Sequence, residues 1–250
     1  MSEEAQSTLG MSLLMDGAFI GELVDPTLPD ATAEVKETNA QNNSGGIGTS
    51  LVTWIKHGEM TFKILYTGST VQETLRTEIY DREMHTWTVV MPPTFHAGGH
   101  SFVFSGQFTK SAPVLNGSDP ATIEFSVTCQ GKPLAVTTWA TGLTTSGFAI
   151  VDDDANALTP VPAATTAATG TYDFTVEAYS DNVSVVITPV AATGTIRVNN
   201  TVVGTGVASA AIPLNTGTGA ITYIPITVTE LNKTPKIYQL KFSLGPTAHP

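Results

Sequence analysis

The feature that most constrains the fold is an alternation of apolar and small polar residues on both sides of a turn-rich segment between Ser101 and Cys129. A period of two residues is the period of a pleated strand, so each arm has one apolar face and one polar face. The pattern predicts a β-hairpin, in which burial of each phenylalanine contributes roughly 1.5–3 kcal/mol. The predicted core positions of this hairpin are Phe102, Phe104, Phe108, Ile123, Phe125 and Val127.

One helix is predicted in the first half of the chain. From Thr70 to Tyr80 the apolar residues Val71, Leu75 and Ile79 recur every four positions, which places them on one helical stripe. Thr70 and Glu73 have the spacing of a capping box, in which each side chain satisfies an amide at the helix start. The stripe is expected to cover the strands on either side of the helix.

The composition predicts a mainly β protein with two domains. Charged residues make up only 13% of the chain, and small and β-branched residues dominate. Residues 144–170 are rich in Ala, Thr and Pro and are interpreted as a linker. From residue 171 onward, short strand patterns alternate regularly with turn residues, which is typical of an immunoglobulin-like antiparallel sandwich. The predicted organisation is therefore a first domain over 1–143, a linker over 144–170 and a sandwich over 171–250.

The charge of the chain excludes a phosphate-binding surface of the usual kind. Eleven basic and 22 acidic residues give a net charge of −11, which is expected to repel nucleic acid. No stretch reaches the roughly 20 apolar residues of a membrane span. The first ten residues carry Glu3 and Glu4 where a secretion signal would carry lysines, so assembly in a cytoplasm is expected.

No catalytic residue, metal site or cofactor is predicted. His96 and His100 are four apart, but Gly98 and Gly99 between them disfavour the helix that would bring two imidazoles to one metal. The acidic run from Asp152 to Asp154 is interpreted as a solvated loop. The single cysteine, Cys129, is in phase with the apolar face of the hairpin and is expected to be a core thiol.

A polar loop rich in glycine and asparagine, Asn39 to Ser50, separates two predicted strands. A loop of this length in a compact domain is usually functional or disordered, and we interpret it as an interaction loop. Its candidate contact residues are Asn39, Gln41, Asn42, Asn43, Ser44, Gly45, Gly46 and Ile47.

The order of elements in the first 140 residues resembles the major tail tube proteins of long-tailed bacteriophages. The resemblance is carried by Ile20-Gly21-Glu22, Asp25-Pro26, Val35 to Thr38, the glycine-rich loop, Met60 to Tyr66, the capped helix, Trp87 to Pro92, Phe104-Ser105-Gly106 and Phe125 to Lys132. In the second half, Val198-Asn199-Asn200 and the late Tyr238-Gln239-Leu240 strand resemble the immunoglobulin-like or cadherin-like sandwiches often appended to phage virion proteins. Several such tube proteins lack an appended domain, so the second half is not expected to be needed for making a tube.

The resemblance implies a structural virion protein and not an enzyme. It implies a tail-tube β-sandwich or barrel with one packed α-helix as the first domain. It also implies stacked rings, usually six-membered, whose subunits each lend strands to one continuous inner β-barrel, with the helix outside it and the loop from Asn39 reaching a neighbouring ring. It also implies tape-measure, tail-terminator and distal-tail proteins as partners, and viral DNA that passes through without specific binding. The polar residues Glu124, Ser126 and Thr128 are the candidates for the lumen wall. Residues 1–143 hold 15 acidic and 7 basic side chains, so an acidic wall that does not hold DNA is expected.

Two other classes of function remain open at this stage. A two-domain module that binds carbohydrate or protein at a cell surface would use exposed aromatics, for which Trp54, Trp87 and Trp139 are the candidates. Weak contact of the second domain with host-surface glycans is compatible with the tube interpretation as well. A hydrolase of cell-wall polysaccharide would need a pair of carboxylates, but the spacing of the acidic residues favours no pair.

Overall fold

The protein is described by a computed structural model over residues 11–38, 49–65, 70–92, 98–114, 122–169, 172–217 and 219–246. The fold is mainly β, as predicted. The elements of the first half are β1 (Ser12–Met15), β2 (Ala18–Thr27), β3 (Ala31–Thr38), β4 (Thr49–His57), β5 (Glu59–Leu65), the helix α1 (Thr70–Asp81), β6 (His85–Val90), β7 (Ser101–Val114) and β8 (Thr122–Val136).

The second half contains ten further strands and a short 3-10 helix within the described residues. They are β9 (Leu143–Asp152), β10 (Ala157–Leu158), β11 (Pro160–Val161), the 3-10 helix (Ala164–Thr169), β12 (Asp173–Ala178), β13 (Ser184–Ala191), β14 (Thr195–Val198), β15 (Thr201–Val203), β16 (Ile212–Pro213), β17 (Ile221–Thr229) and β18 (Lys236–Leu244). Neither described helix has the length and apolar stretch needed to cross a membrane.

Six strands of the first half form a closed barrel in the order β1-β2-β5-β8-β7-β6. The predicted hairpin is present as β7 and β8, and β5 pairs antiparallel with β8, with Phe62 opposite Phe125. Closing the barrel leaves these six strands without an open sheet edge. The interior is aromatic: the rings of Trp87 and Phe108 meet edge to face at 4.8 Å, and those of Phe108 and Phe125 lie 5.7 Å apart.

The hairpin residues lie mostly where the alternation predicts. Phe104, Phe108, Ile123, Phe125 and Val127 are buried, and so is the Cys129 thiol, whose pKa is raised by burial. Phe102 is only partly buried, so it does not belong to the fully enclosed core.

The helix forms over almost the predicted range, and it ends one residue later than predicted. Leu75 is 1% exposed and Ile79 is partly buried, while Gln72 is also buried. The side chain of Val71 lies outside the described residues. Glu73 forms an ion pair with Arg76 at 3.1 Å, an i to i+3 pairing on the solvent side of the helix.

Two sheets of the second half pack as a sandwich around a common core. One sheet has the order β10-β9-β13-β16 and the other has the order β11-β12-β18-β17-β14-β15. The pairing of β12 with β18 is parallel, from Asp173 opposite Gln239 to Ala178 opposite Leu244, so the sandwich is not wholly antiparallel as predicted. Fully buried side chains from both sheets, including Phe174, Tyr238 and Phe242, form the core.

The linker predicted over residues 144–170 is folded instead. These residues contribute β9, β10, β11 and the 3-10 helix, and β9 pairs antiparallel with β13. Phe148, Ile150 and Ala167 are part of the sandwich core. Small residues make this packing possible: a Cβ added at Gly147 would lie 2.1 Å from the carbonyl oxygen of Ala164. The chain divides into two compact units, and the second contains Ala135–Pro250 together with Leu14–Phe19 and Val89–Ser101.

Candidate assembly surfaces

Strands β3 and β4 form a ribbon that is separate from the barrel sheet. They pair antiparallel from Ala31 opposite His57 to Thr38 opposite Thr49, with an irregularity between Glu34 and Val35. Within the described residues this sheet contains these two strands alone. A two-stranded ribbon is marginally stable by itself in water, and both of its outer edges present unpaired backbone groups. It is therefore a surface that a further strand could complete.

Backbone hydrogen bonds fix the base of the ribbon. The amide of Gly58, between β4 and β5, donates to the carbonyl oxygen of Asp30 at 2.8 Å, just before β3 begins. The carbonyl oxygen of Gly58 accepts from the amide of Cys129 on β8 at 3.3 Å. Through Gly58, the two bonds attach the base of the ribbon to β8 of the barrel sheet. The rest of the ribbon lies beyond this attachment point.

The predicted contact loop joins the far ends of these two strands. Asn39, Gln41, Asn42, Asn43, Ser44, Gly45, Gly46 and Ile47 lie outside the described residues. What the structure adds is their attachment: Thr38 and Thr49, which flank residues 39–48, are direct partners across the ribbon.

A second surface, which we call the polar face, is formed by polar side chains of strands β5, β7 and β8. It comprises Glu59, Thr61 and Lys63 of β5, Thr109 and Lys110 of β7, and Glu124, Ser126 and Thr128 of β8. The β5 and β8 members are opposite one another in the register, and the β7 members contact them through hydrogen bonds. The polar residues predicted from the alternation of β8 thus share one side of the sheet.

The charges of the polar face are balanced within the described residues. The Glu124 carboxylate accepts a hydrogen bond from Lys110 and lies opposite Lys63. The hydrogen bond and charge of Lys110, together with the charge of Lys63, hold the pKa of Glu124 below its ordinary value. Glu59 accepts a hydrogen bond from the Thr109 hydroxyl. Two acidic and two basic side chains therefore meet on this surface.

The three predicted lumen residues differ in exposure. Glu124 and Thr128 are partly exposed, whereas Ser126 is 3% exposed in the single chain. Ser126 is opposite Thr61 and stands between the longer side chains of Glu124 and Thr128 along β8. Because it is small and flanked in this way, Ser126 does not itself present an open surface.

Sequence reasoning did not identify Glu59, Lys63, Thr109 and Lys110 as members of this surface. Their neighbours come from strands that are distant in sequence, and the pairing register decides which side chains meet. The one local signal was the turn-rich connection between β7 and β8, which brings Lys110 back toward Glu124.

The candidate sugar-stacking tryptophans are engaged in packing where they are described. Trp87 is fully buried in the barrel. The ring of Trp139 lies 6.1 Å from that of Tyr172, and a Cβ added at Gly99 would be 2.8 Å from its Cγ atom. The side chain of Trp54 lies outside the described residues. The described tryptophans therefore pack within the folded units and do not form an exposed aromatic surface for sugar binding.

The acidic run at the end of β9 is satisfied by nitrogen donors. Asp152 accepts hydrogen bonds from the backbone amides of Asp154 and Asn156 and from the side-chain amide of Asn182. Asp153 accepts from the same Asn182 side chain at 3.2 Å. Burial raises the pKa of Asp152, but the hydrogen bonds outweigh this effect and lower it. Asp152 is buried and closes a turn, whereas Asp153 and Asp154 are exposed, so the solvated loop predicted from sequence is present for the last two residues only.

Comparison with known proteins gives one family match and several similar solved structures. Residues 153–244 match the family described as a cadherin-like beta sandwich domain. None of the curated proteins matches the chain. Solved structures similar to the chain include tail and contractile injection assemblies, each of which covers about half of it.

Three of these structures illustrate the similarity. One is the tail of an empty GTA particle with C6 symmetry, at 16% identity and a TM-score of 0.39, covering 50% of this chain and 92% of that chain. The second is the PVC sheath/tube terminator of an extracellular contractile injection system in its extended state. It has 12% identity and a TM-score of 0.42, and the match covers 50% of this chain and 91% of that chain. The third is Hcp1 from Flavobacterium johnsoniae, with 16% identity and a TM-score of 0.36, and the match covers 50% of this chain and 97% of that chain. TM-scores and identities this low assign neither fold nor function to this chain.

Proposed function

We propose that this chain is a structural subunit of a tail-like tube, and that its first half polymerises into stacked rings around a channel through which DNA passes. The observation that carries the proposal is the ribbon of β3 and β4, whose strands pair only with each other in the described part of the chain. Its length exposes backbone donors and acceptors along two edges, and pairing with a strand of a neighbouring copy would satisfy them. The order of sequence elements that resembles tail tube proteins supports the same function.

The arrangement assigns different tasks to the surfaces. The barrel core is closed within one chain, so each subunit would be a preformed block, and the ribbon with its loop would supply the contact to the next ring. Glu124 and Thr128 of the polar face would line the channel. Because Lys63 and Lys110 balance Glu59 and Glu124 there, the wall would neither hold phosphates strongly nor repel them strongly.

The sandwich would decorate the tube and would not be needed for polymerisation. Six subunits per ring, and contacts with tape-measure, terminator and distal-tail proteins, belong to the proposal because the sequence resemblance implies them. Contact with host-surface glycans would fall to the sandwich. A purely glycan-binding module is the weaker alternative, because the described tryptophans are engaged in packing.

Negative-stain electron microscopy of the purified full chain tests the proposal. Over a concentration series, we expect rings or hollow rods of uniform diameter, with a matching increase in sedimentation coefficient. A chain that stays monomeric at every concentration, with or without added glycan, would contradict the tube proposal. A monomer that binds glycan saturably would establish the alternative.

A further inference from the structure

A histidine and two glutamates meet where α1 ends and β6 begins. Glu78 belongs to the last part of the helix, Glu83 follows the helix, and His85 is the first residue of β6. Each of the three offers one ligand atom, and these atoms all lie within 4.8 Å of one another. Within the described residues, this is the one group of three or more His, Cys, Asp or Glu side chains with that geometry.

The backbone turn after the helix creates the cluster. Arg82 has a φ of 54°, in the left-handed region, so the chain reverses immediately after Asp81. The reversal brings Glu83 and His85 back beside Glu78. Such a cluster has no simple sequence spacing, since its members come from a helix, a turn and a strand.

The imidazole is held in place before any ligand arrives. His85 is 8% exposed, and its ring meets the rings of Trp87 at 6.3 Å and Phe108 at 6.5 Å, both edge to face. On its polar side, Nε2 lies 3.3 Å from a carboxylate oxygen of Glu78. A buried nitrogen held beside a carboxylate oxygen is a preorganised ligand.

The charges of the cluster favour a cation. Two carboxylates this close repel each other, and a single imidazolium can neutralise at most one of them. Of the two basic residues in this part of the chain, Arg76 is bonded to Glu73, and Arg82, next to Glu83, is exposed. A divalent ion contacting all three side chains would offset both negative charges at once.

We propose that Glu78, Glu83 and His85 bind a divalent transition-metal ion that fastens the end of α1 to the first residue of β6. One imidazole with two carboxylates suits Zn²⁺, Mn²⁺, Fe²⁺ or Ni²⁺ better than Mg²⁺ or Ca²⁺, which prefer oxygen ligands throughout. Glu83 is exposed, so remaining coordination positions would be open to water. The site is independent of tube assembly, since it requires one chain only.

Calorimetric titration of the tag-free, EDTA-treated full chain with Zn²⁺ tests the proposal, and the Co²⁺ absorption spectrum serves as a second probe. We expect one ion per chain and, at a hundredfold excess over the dissociation constant, a rise in melting temperature of about 5 °C. Glu83→Gln, at an exposed position, is expected to fold normally and to weaken binding at least about tenfold. Glu78→Gln is expected to do the same.

Two controls separate this site from adventitious binding. Glu73→Gln changes a glutamate of the same helix outside the cluster, and His100→Ala removes an imidazole elsewhere. Both variants are expected to bind Zn²⁺ like the unchanged chain. The proposal is overturned if the unchanged chain does not bind Zn²⁺, if Glu83→Gln and Glu78→Gln bind it as tightly, or if the controls lose binding equally.

Discussion

The indole nitrogen of Trp87 donates a 3.1 Å hydrogen bond to the carbonyl oxygen of Gly106 inside the barrel. The bond joins β6 to β7 by a side chain and satisfies the one polar atom of a fully buried tryptophan. It requires that the indole approach the backbone closely. Gly106 permits this approach, because a Cβ there would lie 3.3 Å from Cδ1 of Trp87 and 2.6 Å from Cγ1 of Val127.

Gly106→Ala is therefore expected to destabilise the barrel. The added methyl group would also lie 2.9 Å from the carbonyl oxygen of Thr128, and backbone cannot move aside as a flexible side chain can. Overpacking of this kind typically costs about 1–3 kcal/mol. Urea unfolding followed by tryptophan fluorescence measures the loss. Ser105→Ala, at the exposed neighbouring position, is the control and is expected to change stability little.

Phe104→Ala and Phe102→Ala are expected to differ although both change a phenylalanine of β7. Phe104 is 3% exposed and its removal would leave a cavity, at a cost of about 3–5 kcal/mol. Phe102 is only partly buried, so solvent and neighbouring side chains can fill its space and the cost should be about half as large. Equal losses in free energy of unfolding for the two variants would contradict this assignment of the core.

Glu230 is expected to make the stability of the sandwich depend on acid pH. Burial raises the pKa of Glu230, but hydrogen bonds from Lys233, from the Thr141 amide and from Thr193 outweigh it and lower the pKa to about 2 from an ordinary 4.5. A depressed pKa means that the stabilisation is present above about pH 4.5 and is lost as the pH falls toward 2.

Glu230→Gln should therefore be less stable than the unchanged chain at pH 7, and the difference should shrink between about pH 4.5 and 2. Urea unfolding at several pH values, followed by near-ultraviolet circular dichroism, measures it. Glu177→Gln changes an exposed glutamate of β12 and is the control. A stability difference that stays constant over this pH range would show that Glu230 does not act through its charge.

The sequence predicted those parts of the fold whose signals are local. The alternation of apolar and polar residues predicted which side chains of β7 and β8 are buried, because strand geometry imposes a period of two residues whatever the neighbouring strands are. Asp16-Gly17 and Asn199-Asn200 are dipeptides that favour two-residue hairpin turns, and all four residues have the positive φ that such turns require. A sandwich in the second half was likewise predicted from regularly spaced strands and turns, and its resemblance to cadherin-like sandwiches agrees with the family match over residues 153–244.

The missed features depend on contacts between distant residues. Residues 144–170 are rich in Ala, Thr and Pro and were predicted to be a linker, yet Gly147 packs against the backbone of Ala164 because it has no side chain. Glu124 was assigned to an acidic wall because its partners Lys63 and Lys110 are known only from the strand pairing. For the same reason the cluster of Glu78, Glu83 and His85 was not anticipated: a reversal after the helix assembles it.

Shortening the loop of the ribbon is expected to abolish polymerisation while leaving the subunit folded. Thr38 and Thr49 are direct partners, so an Asn-Gly turn in place of residues 39–48 can close the ribbon without shifting its register. In the proposed tube this segment reaches the next ring, and its removal deletes the contact but none of the barrel or sandwich core. Circular dichroism and the melting temperature should match those of the unchanged chain, whereas electron microscopy should show no rods.

A second variant distinguishes the effect of the loop's length on polymerisation from the effect of its side chains. Replacing residues 39–48 with a Gly/Ser segment of equal length keeps the reach of the loop and removes its asparagines and Ile47. If the side chains make the contact, this variant also fails to polymerise; if length alone matters, it forms rods while the shortened variant does not. Rods from the shortened variant, equal in number and diameter to those of the unchanged chain, would exclude the loop from ring stacking and leave the edges of β3 and β4 as the surface to test.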